Sequence, residues 1–202
     1  MNIVFDLDGT LIDSSERMYR LFQKLIPESE FTKEQYWGLK RNKINHQMIL
    51  DEYYPQYDFD YFNKKWLSMI ELNEYLDMDK NYPDTIEVLD YLFKKHTIVL
   101  LTARQSRDGL ERELYRLGLI SYFSLILVTE AQMSKIDMLR NANIGMHEDD
   151  LFVSDMGKDI LDGIEYGYRT VGITHGFMCK EKLQEYRPEY LIDELAQLKE
   201  IV

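Results

Sequence analysis

The sequence predicts an α/β protein, a doubly wound parallel sheet of about five strands with one long helical insertion. Three observations carry this. Short apolar runs recur along the chain, helical segments separate the later ones, and the alternation fails once, between the first run and the second. The 202 residues suffice for one domain with an insertion and for a sizeable core. Hydrophobic residues make up 45% and charged residues 30%, the balance of a globular chain.

The runs are "NIVF" from Asn2, "TIVLL" from Thr97, "SLILV" from Ser124, "LFVS" from Leu151 and "TVGIT" from Thr170. Each is continuous rather than alternating, as strands read when helices cover both faces of a sheet. The segment "TIEVLDYLFKKH" (85–96) reads as the helix leading back into the second strand. In "RDGLERELYRLG" (107–118), Leu110, Leu114 and Leu117 recur at helical spacing, and Gly118 ends the pattern. Residues 134–143 and 159–167 read likewise. Strand then helix, repeated, is the signature of a parallel, Rossmann-like sheet. The stretch between the first run and Thr97 is aromatic and charged, and reads as several helices without a strand. Residues 15–79, about 65 positions, are too long for an ordinary connection and are expected to form a lid-like helical cap. Residues 1–14 and 80–202 then make the core.

A formal net charge of -12 repels nucleic acid and anionic membrane surfaces. The longest apolar runs, such as "IVLL" at 98–101, are too short to span a bilayer. Cys179 stands alone, so no intrachain disulfide forms. The first residues lack a basic stretch followed by an apolar core and a cleavage site, and the expected address is the cytosol. An anionic substrate would need the field reversed locally, by a metal or a few placed cations.

In a parallel sheet, ligands bind outside the carboxyl ends of the strands. The first strand ends in Asp6-Leu7-Asp8-Gly9-Thr10, the second in Thr102-Ala103-Arg104, the fourth in Ser154-Asp155-Met156-Gly157-Lys158-Asp159. The helix after the third begins at Ser134-Lys135. Asp6, Asp8, Asp155 and Asp159 brought together would repel one another unless a cation neutralised them. Mg²⁺ does so with one or two carboxylates and keeps its other positions for water or phosphate oxygens. The Thr102 hydroxyl and the Lys135 ammonium suit a phosphate. An EF-hand reading of the D-x-D pair fails, because Leu11 falls where glycine is required and Arg17 where a bidentate glutamate belongs. Neither G-x-S-x-G nor a P-loop occurs.

These motifs, in this order, resemble the haloacid dehalogenase superfamily of phosphotransferases, over residues 2 to about 175. "DLDGT" is similar to its first motif, Thr102 to its second, Lys135 to its third and "SDMGKD" to its fourth. The resemblance implies roles. Asp6 would be the nucleophile that forms an aspartyl-phosphate, and Asp8 the general acid and then base. The Asp6 carboxylate, the Asp8 backbone carbonyl and Asp155 would hold Mg²⁺, with Asp159 a ligand or an anchor behind them. Thr102, Lys135 and the Ala103 amide would bind the phosphoryl group. Thr10 would order the loop. A carboxylate at Asp8 argues for phosphate esters over carbon–halogen bonds. The insertion point resembles that of the phosphoglycolate phosphatase and β-phosphoglucomutase group, and the "THGF…PEYLIDEL" tail is similar to the former.

Three departures stand out. Ile136 follows Lys135 where proline is usual, Ser154 replaces a glycine, and Arg104 replaces an uncharged residue or lysine. Arg104 is expected either to reach the substrate or to pair with a carboxylate. Arg17, Lys40, Arg41, Lys43 and His46 are the cap cations nearest plausible loops, with Arg41 and His46 as candidate substrate contacts. The cap's aromatic residues are expected to pack helices. The implied activity is a Mg²⁺-dependent phosphatase acting on a small phosphorylated metabolite, as a monomer or homodimer, with no nucleic-acid or membrane partner. A phosphomutase and a non-catalytic phosphate-binding regulatory module are the alternatives.

Overall fold

The computed structural model describes residues 1–145 and 147–202. The chain runs β1 (Asn2–Phe5), β2 (Ile12–Asp13), α1 (Ser15–Leu25), α2 (Lys33–Arg41), α3 (His46–Tyr53), α4 (Phe59–Met69), α5 (Asn73–Leu76), β3 (Lys80–Asn81), α6 (Thr85–Leu92), β4 (Thr97–Thr102), α7 (Arg107–Arg116), β5 (Leu125–Val128), α8 (Lys135–Ala142), β6 (Leu151–Ser154), α9 (Gly157–Tyr166), β7 (Arg169–Ile173), α10 (Lys180–Gln184) and β8 (Tyr190–Ile192). Short 3₁₀ helices lie at 120–122 and 195–200. No helix among the described residues is long and apolar enough to cross a membrane.

Six strands form one sheet in the order β5-β4-β1-β6-β7-β8, and every neighbouring pair is parallel. The five expected strands are all present. The sixth, β8, pairs Tyr190, Leu191 and Ile192 with Val171, Gly172 and Ile173 at the sheet edge. Alternate side chains serve opposite faces. Ile3, Phe5, Ile98 and Leu100 join one buried cluster with Leu89, Leu110 and Leu114 from the helices. Val4, Val99, Leu101 and Phe152 join another with Leu139. Burial on both faces is why each strand reads as a continuous apolar run. The chain passes from β1 to β4 and β5 on one side, then returns to β6, β7 and β8 on the other. The crevice between the carboxyl ends of β1 and β6 therefore opens where the winding reverses.

Helices α1 to α5 all fall between β2 and β3, which pair antiparallel through Ile12–Asn81 and Asp13–Lys80. This short ribbon brings the two ends of the helical segment side by side. The segment has its own buried cluster of Leu21, Phe22, Ile26, Tyr36, Ile49, Leu50, Phe62, Trp66 and Tyr75. Its helices start with local signals: Thr32 and Gln35 form a capping box on α2, and Asn45 and Asp58 cap α3 and α4.

Candidate active site

Asp6 continues the first strand, since its amide donates to the Val153 carbonyl at 3.0 Å. The chain then folds tightly. The Leu7 carbonyl accepts from the amides of Thr10, Leu11 and Ile12 at 3.1, 2.9 and 3.2 Å. Gly9 takes φ +80, a left-handed conformation, and a Cβ there would meet the Asp155 carboxylate at 2.2 Å. The pattern Asp-x-Asp-Gly is thus a turn chemistry that swings Asp6 and Asp8 out of the strand end.

Lys135, the first residue of α8, reaches across to the strands. Its ammonium donates to Asp6 Oδ1 and to Asp159 Oδ2, each at 2.6 Å. Ser134 caps the helix through its hydroxyl, which accepts from the Asp137 amide, and so fixes where Lys135 starts. The Ser154 hydroxyl donates to the same Asp159 oxygen at 2.8 Å. Burial pushes the Asp6 carboxyl up to about 7, against the pull of Lys135.

Asp155 is fully buried beside them. The Thr10 hydroxyl donates to its Oδ1 at 3.1 Å and the Phe177 amide to its Oδ2 at 2.5 Å. The Asp155 amide in turn donates to Thr10 Oγ1 at 3.1 Å, so Thr10 orders this loop. Gly176 closes the other side: a Cβ there would lie 2.1 Å from Asp155 Oδ2 and 2.3 Å from the Gly9 carbonyl oxygen. Burial, and then the Asp6 charge, hold the Asp155 carboxyl well above its ordinary range. Two glycine backbones thus crowd the buried Asp155 carboxylate, beside the Asp6 carboxylate and the oxygens of the Gly9 turn. That is the chemistry of a divalent hard-cation site, to which Asp6 and Asp155 would bring carboxylates and Asp8 a backbone carbonyl. Among the described residues no set of three or more His, Cys, Asp or Glu side chains converges as ligands for one ion. The Asp8 carboxylate and Asp159 face cations instead of the Asp6–Asp155 pair.

Asp8 is held by two arginines. Arg104 is bidentate, with Nε 2.6 Å from Oδ2 and Nη2 2.9 Å from Oδ1. Arg17, in the first turn of α1, donates to Oδ1 through Nη2. Behind them lie two buried acids. Asp79 Oδ2 is 3.2 Å from Arg17 Nε and 3.4 Å from Arg104 Nη2, and Glu113 Oε2 is 2.9 Å from Arg104 Nη2. Burial alone would raise Asp8; the guanidinium groups of Arg104 and Arg17 outweigh it and hold the carboxyl at about 2. Burial pushes Asp79 up to about 9 and Glu113 upward as well. Three carboxyls thus face two guanidiniums, and one proton on the Asp79–Glu113 pair leaves the cluster neutral.

A cavity of about 640 Å³ lies over these groups. Of the residues expected at the site, Asp6, Asp8, Thr102, Ala103, Arg104, Lys135 and Asp159 line it, and Asp155 sits just beneath. Of the two courses expected for Arg104, its pairing with carboxylates is what the geometry displays: its side chain, 4% exposed at the cavity wall, holds Asp8, Asp79 and Glu113. Arg41 and His46, expected as substrate contacts, do not line the cavity in this geometry. Arg41 Nη2 donates to the Thr174 carbonyl at 2.6 Å, tying α2 to the loop after β7. His46 packs tilted against Trp66 with ring centres 4.2 Å apart, and its Nε2 bonds the Tyr36 hydroxyl at 2.8 Å. It belongs to the aromatic packing of the helical segment. Other groups on the cavity wall carried no motif, namely Met18, Trp66, Leu67, Ile70 and Glu71, while Phe177 ends the "THGF" stretch of the tail. The Glu71 carboxylate accepts from the Gln105 and Ser106 amides at 2.9 and 3.1 Å, fastening the segment to the loop after β4.

A doubly wound sheet with these acids, a lysine and a threonine at its carboxyl edge defines a phosphatase framework. The chain belongs to the haloacid dehalogenase-like hydrolase family, whose model matches residues 3–173. It is 28% identical to the phosphoglycolate phosphatase of Neisseria meningitidis over 98% of this chain and 92% of that one. To the pyrophosphatase PpaX of Listeria welshimeri it is 22% identical, over 99% and 95% respectively. A crystal structure of a predicted phosphoglycolate phosphatase from Haemophilus somnus superposes with a TM-score of 0.78 at 20% identity, covering 98% of this chain and 96% of that one.

Proposed function

We propose that the protein is a Mg²⁺-dependent, cytosolic phosphatase that cleaves a small phosphomonoester through an aspartyl-phosphate on Asp6. The observation that carries this reading is the placement of Asp6: a strand-end carboxylate on the cavity floor, 2.6 Å from Lys135, with Thr102 and Ala103 on the same wall. Residues 15–79 act as the cap, and residues 1–14 and 80–202 as the catalytic core.

The bound cation would neutralise phosphate charge beside Asp6 and Asp155. Asp6 attacks phosphorus, the bond to the leaving oxygen breaks, and that oxygen takes a proton from Asp8. Water then attacks the same phosphorus, Asp8 takes its proton, and the bond to Asp6 breaks. The sum is ester plus water to alcohol plus phosphate. Lys135 and Thr102 balance charge on the moving phosphoryl group. In the geometry seen, Asp8 faces Arg17 and Arg104, which favour the carboxylate form that the second step requires. The first step needs it protonated, which loss of the Arg17 contact on α1 would favour. Water stays out while the helical segment covers the cavity.

The test is phosphate release from p-nitrophenyl phosphate with Mg²⁺. Activity is expected to vanish on chelation and to fall at least ~10³-fold in Asp6→Asn. Full activity in that variant, or activity indifferent to chelator, would overturn the reading.

A further inference from the structure

We infer that the site, read as a phosphatase site as above, selects a phosphomonoester with an apolar body over a substrate carrying a second anionic group. The composition of the cavity wall carries this. On the side of the helical segment the wall is Met18, Trp66, Leu67 and Ile70, and from the core Met156 and Phe177 join it. Four cations also reach the wall, and each already has a carboxylate partner. Arg17 and Arg104 hold Asp8 and Asp79, Lys135 holds Asp6 and Asp159, and Lys158 pairs with Asp162 one helical turn on.

An incoming phosphoryl group has the Lys135, Thr102 and Ala103 side of the cavity. A carboxylate or a second phosphate on the far end would meet thioether, indole and aliphatic carbon, and the charges on that side are Glu71 and Arg17, the latter already held by Asp8 and Asp79. Burying it there would cost desolvation with no partner in return. A ring or branched chain would instead bury apolar surface against Trp66, Leu67 and Ile70. The volume of about 640 Å³ is that of a pocket for a drug-sized ligand, well beyond the needs of a two-carbon phospho-acid. Sugar phosphates fit less well, since most of their hydroxyls would face this apolar surface and only Glu71, Gln105 and Ser134 offer polar groups around it.

Lys40 is the one competing cation to weigh. It is mostly buried on α2, and no carboxylate among the described residues pairs with it. It is absent from the cavity wall, so it does not serve a ligand in this geometry.

Benzyl phosphate and 2-phosphoglycolate both release a primary alkoxide, so their chemistry at phosphorus is matched. With Mg²⁺ present, kcat/KM is expected to be at least tenfold higher for benzyl phosphate than for 2-phosphoglycolate or pyrophosphate. Leu67 is about half exposed, so Leu67→Arg is expected to fold, and it should narrow that ratio by favouring 2-phosphoglycolate. A binding arm separates this inference from the catalytic reading. Titration calorimetry with Mg²⁺ should show phenethylphosphonate binding at least tenfold tighter than 3-phosphonopropionate. That preference without turnover of any ester would sink the phosphatase reading and leave the selectivity standing. Equal or reversed binding of the two phosphonates would overturn the selectivity, as would a preference for 2-phosphoglycolate that Lys40→Met abolishes.

Discussion

Asp8 shows how far a single residue could be read. Its place after the first strand, two beyond Asp6, was legible because two like charges on an apolar strand end repel at a cost that only a facing cation offsets. The arginine clamp around it was not. Arg17 reads as one more cation on a helix face, and Asp79 and Glu113 sit in segments with no motif, so only the packing of α1 and α7 brings them together. The bidentate geometry makes Arg104 a positioning residue. Arg104→Lys keeps the charge but loses the fork, and is expected to lower kcat about tenfold to a hundredfold while KM moves less than threefold, read by steady-state kinetics. Gly9 is the strictest position in the loop. With φ +80 and Asp155 2.2 Å from a would-be Cβ, Gly9→Ala is expected to lower Tm and abolish phosphate release together.

Helices and strands were read from their periodicity, and the misses were the short ones. β8 is three residues long and β2 and β3 two each, below the length at which a pattern shows. The helix α8 matters beyond its packing, because its first residue carries the ammonium that meets Asp6. Removing its cap with Ser134→Ala is expected to cost about 1 kcal/mol in denaturant unfolding and to raise KM through Lys135. On α2 the balance is different. Burial pulls Lys40 from its ordinary 10.5 down to about 8. A lysine lowered by folding costs stability wherever the unfolded lysine is charged. That cost is full below about pH 8 and disappears as pH rises past 10.5. Lys40→Met is therefore expected to raise Tm by several degrees at pH 7, with the gain shrinking through that window in a series of thermal melts.

At the level of the whole molecule, the division into a sheet and a helical insertion was visible because the strand rhythm broke for about 65 residues. The insertion read as a lid, but which of its residues face the site was not visible. Its apolar wall is built from residues that read as helix packing, and Trp66 serves both purposes, lying in the segment's own core and on the cavity. The two bodies are fastened by polar contacts at opposite ends, Glu71 to the Gln105 and Ser106 amides and Arg41 to the Thr174 carbonyl. Glu71→Ala is expected to raise KM several-fold with a smaller change in kcat, because it loosens the cover without touching the floor.

Arg17 stands on the helical segment and Asp8 on the sheet, so the pair crosses the seam along which the two bodies would part. While shut, it is shielded from dissolved ions by its burial; once parted, each charge gains a counterion atmosphere. On the proposed reading of residues 15–79 as a cap that opens, added salt would favour the parted form, and the hold on substrate is expected to weaken as ionic strength rises.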